Sequence, residues 1–91
     1  MSYEINLHFP HFDSAVRMPA VPRKGDIVDF TDPEIGDTAW VVAEVRYTAY
    51  ADGTEGSIYL ALDPADEDTK ERSERFEADR LAALRSLVTE K

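Results

Sequence analysis

Tyr3, Ile5, Leu7 and Phe9 alternate with Glu4, Asn6 and His8 at the start of the chain. Such alternation sends apolar side chains to one face and polar ones to the other, which predicts a half-buried strand. Pro10 ends it. Residues 10–25 hold Pro10, Pro19, Pro22 and Gly25, with Val16 and Met18 as apolar anchors, and read as a loop. Asp26 to Thr31 reads as a second strand, with Val28 and Phe30 on one face, and residues 32–37 as a turn. Residues 38–50 form the longest β segment. Its odd positions, Ala39, Val41, Ala43, Val45 and Tyr47, make an apolar face; its even positions mix Trp40 and Val42 with Glu44, Arg46 and Thr48. A strand of this length is expected to bend. Asp52-Gly53 and Gly56 supply a hairpin loop. Ile58, Leu60 and Leu62 then alternate in a returning strand.

The period changes after Leu62. Asp63 can cap a helix N-terminus and Pro64 suits its first position. Acid-before-base pairs four residues apart follow: Asp66–Lys70, Asp68–Arg72 and Glu71–Arg75. Residues 66–75 contain no large apolar side chain and are expected to be solvated all round. Ala78, Leu81, Leu84 and Val88 then form one helical stripe, with Phe76, Ala83 and Leu87 on another side. The pattern predicts an α+β protein: a small antiparallel β-barrel or curled meander over residues 1–62, then a helix over residues 63–91.

Ninety-one residues make one domain with a modest core. The chain has no cysteine, which removes disulfides and thiolate metal sites and fits a cytoplasmic location. The first residues lack the basic and apolar regions of a secretory leader, and no apolar run approaches a bilayer span. Nineteen acids against ten bases give a net charge of −9. Direct nucleic-acid binding normally needs a basic face, so this balance disfavours it and suits either solubility or a basic protein partner.

Pro22-Arg23-Lys24-Gly25-Asp26-Ile27-Val28-Asp29-Phe30, followed by Gly36 and the Trp40-to-Val45 strand, resembles the opening of SH3-like small barrels of the KOW type. The resemblance covers about a quarter of the chain. It implies a small barrel and, in an RNA- or ribosome-linked form, Arg23 and Lys24 at phosphate.

Few residues suggest chemistry. His8, His11 and Asp13 could in principle ligate a metal, but their spacing matches no standard site, and Pro10 limits convergence. No metal or cofactor is expected. No serine lies in a nucleophile elbow, and nothing places a histidine beside one, so no catalytic residue is assigned and no enzymatic activity is expected. Pro19-Ala20-Val21-Pro22-Arg23 has the form of a polyproline ligand and reads as a stiff linker. If the odd face of 38–50 and the even face of 57–62 pack inward, Trp40, Tyr50 and Tyr59 face outward as candidate protein-binding aromatics; the alternative is a second mini-core under the N-terminal loop or the helix. Asp29, Asp32, Glu34 and Asp37 are the candidate acidic contacts, and Leu81, Leu84, Leu87 and Val88 a candidate homodimer stripe. The expected function is a non-enzymatic interaction module, an accessory or mobile-element protein that binds or inhibits a basic partner. The alternatives are a nucleic-acid mimic of anti-defence type, with carboxylates in a phosphate-binding groove, and the RNA-linked barrel.

Overall fold

The computed structural model describes residues 2–89, with side chains through Arg85. The protein is α+β. Five strands, β1 (Tyr3–His8), β2 (Asp13–Met18), β3 (Ile27–Asp32), β4 (Gly36–Thr48) and β5 (Ser57–Pro64), precede one helix, α1 (Glu67–Thr89). The strands form one curled sheet in the order β2-β1-β5-β4-β3, leaving β2 and β3 as free edges. The sheet is therefore a half-barrel. It is mixed rather than wholly antiparallel, because β1 runs parallel to β5, with Leu7 opposite Leu60.

The alternation in β1 has the expected result: Ile5, Leu7 and Phe9 are buried and Tyr3 is exposed. The 10–25 segment is not all loop. Phe9 N–H donates to Phe12 O at 2.9 Å across a tight turn. β2 then pairs antiparallel with β1, setting Val16 opposite Ile5 and Met18 opposite Tyr3. Its side chains are only half-buried or exposed, as suits an edge.

β4 departs from the expected parity. Thr38, Trp40 and Val42 face the core. A bulge between Val42 and Glu44 then adds one residue against β5, so Val45 pairs with Leu60 on the inner face. One extra residue in a period-two element exchanges the faces beyond it. The odd face is thus inward only after Ala43. The core joins Ile5, Leu7, Phe9, Val28, Trp40, Val42, Leu60 and Leu62.

The turn between β3 and β4 is held by Asp32, whose Oδ1 accepts from the N–H groups of Glu34 (2.8 Å) and Ile35 (3.2 Å). It ends on Gly36, at φ +90°. A side chain there would be strained, and its Cβ would meet Arg72 Nη1 at 2.7 Å.

The helix starts later than Asp63. The β ladder continues through Pro64, and Ala65 N–H donates to Ala39 O at 2.9 Å. Asp66 is the cap: its Oδ1 accepts from Thr69 N–H at 2.7 Å. That backbone hydrogen bond, with the Thr69 side chain and then Arg72 adding to it, holds the Asp66 carboxyl below its ordinary pKa. The 66–75 stretch is not solvated all round. Thr69 and Ser73 are buried, and Thr69 Oγ1 accepts from Ala39 N–H at 3.0 Å. Phe76 meets Phe12 edge-on at 5.6 Å between ring centroids. Arg72 Nη1 donates to Ile35 O at 3.3 Å. The first half of α1 thus closes one end of the half-barrel. Among the described residues, no helix is long and apolar enough to cross a membrane.

Candidate functional site

Trp40 is not a surface anchor. It is 0% exposed, because the bulge reverses the parity that would have turned it outward. Its indole Nε1–H donates to Thr38 Oγ1 at 2.7 Å, and Thr38 Oγ1 donates to Phe30 O at 2.8 Å. This relay satisfies a buried polar group that would otherwise be costly. Phe9 stands edge-on to Trp40 at 4.7 Å and stacks on Phe12 at 4.2 Å. Trp40 therefore lies beneath the docked helix and holds the core together.

Tyr50 and Tyr59 are separated from the acidic candidates. Tyr50 is exposed beyond the far end of β4. Thirteen residues of strand separate that end from the β3–β4 turn, about 40 Å. Tyr59 lies half-buried on the outer face, opposite Arg46 and Asn6 and stacked against His8 at 5.1 Å. The histidines also part. His8 Nδ1 lies 2.9 Å from Asp13 Oδ1 on the outer face, while His11 pairs with Glu77 on the helix. In the polyproline-like segment, Val21 packs on the core, and Asp26 Oδ2 accepts from Arg23 N–H at 2.8 Å. That segment is held down at its middle rather than displayed.

The acids do gather. Asp29, Asp32, Glu34 and Asp37 belong to the β3–β4 hairpin. Their roles differ: Asp32 holds the turn, and Asp37 Oδ1 accepts from the Thr31 hydroxyl at 3.0 Å. Asp29 and Glu34 are exposed. The docked helix brings Asp68, Glu71 and Asp79 to the same end. A groove of about 320 Å³ runs between turn and helix, with Glu34 and Ile35 on one wall and Asp68, Glu71, Arg75 and Asp79 on the other. Arg72 also lines it, but its Nε donates to Asp68 Oδ2 at 2.9 Å while Nη1 ties the helix to the turn. Four carboxylates thus face two guanidiniums; the Arg72–Asp68 pair cancels one of each, leaving Glu34, Glu71 and Asp79 against Arg75. Asp68, Glu71 and Arg75 fall in the 66–75 stretch, whose lack of large apolar side chains predicts solvation all round, and Asp79 continues their spacing one turn further on. That spacing is one helix face.

Arg23 and Lys24 lie together before β3, exposed and at the edge of a different depression with Val21, Glu44 and Tyr47. Leu81 and Leu84 are exposed; the side chains of Leu87 and Val88 lie outside the described residues. Comparison with family models, with curated proteins and with solved structures gives no match.

Proposed function

We propose that this protein is a non-enzymatic interaction module that receives a basic segment of a partner protein in the groove between the β3–β4 turn and α1. The observation that carries the reading is the carboxylate excess in that groove, on a chain of net charge −9. The groove has a rigid base, because Asp32, Gly36 and Arg72 fix the turn against the helix. Fixed charges on a rigid frame steer a basic partner and select it against acidic ones. Binding there would occupy or inhibit a basic surface of the partner, in keeping with an accessory or mobile-element protein of the cytoplasm. Phe76, half-buried and lining the groove, replaces Trp40 as the contact that would be desolvated.

The test uses a capped lysine- and arginine-rich peptide as probe. Its affinity for the native chain is compared with that for a Glu34→Gln, Glu71→Gln, Asp79→Asn triple variant. The triple variant should bind about tenfold more weakly, or weaker still, at low salt. Unchanged affinity, with the variant shown to fold by its melting transition, would remove the groove from consideration.

A further inference from the structure

The half-barrel leaves two strand edges open, β2 and β3. Backbone N–H and C=O groups along such an edge have no strand beside them, and proteins ordinarily guard it with charges, prolines or bulges. β2 is guarded: Asp13 and Arg17 carry charge along it, and Pro19 follows it. β3 has no such protection. No lysine, arginine or proline lies within Ile27–Asp32, and its pairing with β4 runs without a bulge. The register shows which groups are open. Val42 N–H donates to Asp26 O at 2.9 Å, so by alternation Val28 bonds to Trp40 and Phe30 to Thr38. The next residue of β4 agrees: Ala39 accepts from Ala65 N–H and donates to Thr69 Oγ1, both away from β3. The N–H and C=O groups of Ile27, Asp29 and Thr31 therefore point off the sheet, in a row about 14 Å long. All three residues are exposed, and Ile27 is 58% exposed.

Charge selects the strand that can lie there. Asp26, Asp29 and Asp32 recur at every third residue along the edge. A second copy of the chain, laid antiparallel in full register, would set Asp29 against its symmetry mate and Asp26 against Asp32. Like charges directly opposite are destabilising, and each chain carries −9. A basic strand reverses the sign of every one of these pairs. Its cations fall opposite the three aspartates at the same spacing, and β-branched residues between them pack beside Ile27, Val28 and Phe30. Arg23 and Lys24 stand just before Asp26 and limit such a strand to the span 26–32. At its other end the edge runs into the β3–β4 turn, whose Glu34 lines the acidic groove.

We infer that the β3 edge takes up an extended basic segment of the partner protein as a sixth strand, with cationic residues at every third position. This rests on the basic-partner reading above and supplies backbone hydrogen bonds that the carboxylates of the groove do not. In strand addition the main chain gives affinity, and the side chains on alternate faces give specificity.

The experiment titrates the full ¹⁵N-labelled chain with a capped Lys-Thr-Val-Lys-Val-Thr-Lys peptide and follows amide shifts and hydrogen exchange. In the free chain the amides of Ile27, Asp29 and Thr31 should exchange faster than those of Val28 and Phe30. The peptide should slow these three by about tenfold or more. Two further peptides carry N-methyl groups on one or the other alternate set of residues. Their charges are the same, but only one set faces β3, so one peptide should lose binding and the other keep it. Asp29→Asn should weaken binding of the parent peptide about threefold. Both methylated peptides binding like the parent, or neither binding, would overturn the inference. So would slowed exchange at the three amides on raising protein concentration without peptide, which would make a second copy the occupant. Shifts confined to Glu34, Glu71 and Asp79 would overturn the edge and leave the groove standing. Edge protection undiminished in the Glu34→Gln, Glu71→Gln, Asp79→Asn variant would remove the groove and keep the edge. Shifts in neither place would remove both.

Discussion

The two halves of α1 reverse what their compositions suggest. The first half holds charged and small polar residues, yet it docks, burying Thr69 and Ser73 and setting Phe76 against Phe12. The second half carries the leucines, yet Leu81 and Leu84 are 46% and 49% exposed. What decides docking is fit at the end of the half-barrel. A threonine that can accept from Ala39 N–H satisfies a strand amide next to the helix. A leucine could not accept that bond. Small side chains also let helix and sheet approach closely, while long charged ones splay to either flank and, on one of them, line the groove. The exposed leucine stripe leaves homodimer contact through Leu81 and Leu84 as a proposal separate from the docked half.

Removing the support beneath the docked half should have the largest effect. Trp40→Ala deletes the side chain at the centre of the aromatic cluster and should cost about 3–5 kcal/mol. In a domain with a total stability of about 5–15 kcal/mol, urea unfolding should show a large loss or no folded state. A folded variant of near-native stability would return Trp40 to the surface.

Thr69→Val comes next. It keeps the shape but removes the acceptor for Ala39 N–H, and should cost about 1–3 kcal/mol by urea unfolding. Leu84→Gln in the exposed half should stay within about 0.5 kcal/mol. A reversed order of these two would show that leucines, not the small polar pair, secure the helix.

Asp66→Ala should lower the melting temperature by less than Thr69→Val, because it loses one exposed cap. Its pH dependence has a defined sign. The folded Asp66 carboxyl lies below its ordinary value, chiefly through the Thr69 backbone hydrogen bond. Its contribution is therefore fully present above the unfolded value and is lost as pH falls through the folded one. The gap between native chain and variant should close below about pH 4. A gap that persisted into strong acid would assign the effect to something other than the charged cap.

The same residues show what the sequence could carry. The switch from period two to helical spacing was legible, and so was the strand character of 3–9, 26–31, 38–50 and 57–62. The edge strand β2 was not, because prolines flank it and Val16 and Met18 are its only large apolar side chains. The inward face of β4 was not, because a bulge changes parity without a mark in the pattern; Trp40 was misplaced for that reason alone. The helix start moved from Asp63 to Asp66 because β4 still had a carbonyl for Ala65 to reach. Of the candidate site, the hairpin acids were legible as a cluster. Their meeting with Asp68, Glu71 and Asp79 required knowing that a polar stretch docks.

On the proposed function, the acidic groove beside the docked half steers a basic partner. Its most direct measure is the association rate of the lysine- and arginine-rich peptide, by stopped flow, across a range of ionic strength. The rate should fall steeply as salt rises in the native chain, with both rate and salt slope reduced in the Glu34→Gln, Glu71→Gln, Asp79→Asn variant. A native rate indifferent to salt, or a variant with the same slope, would contradict it.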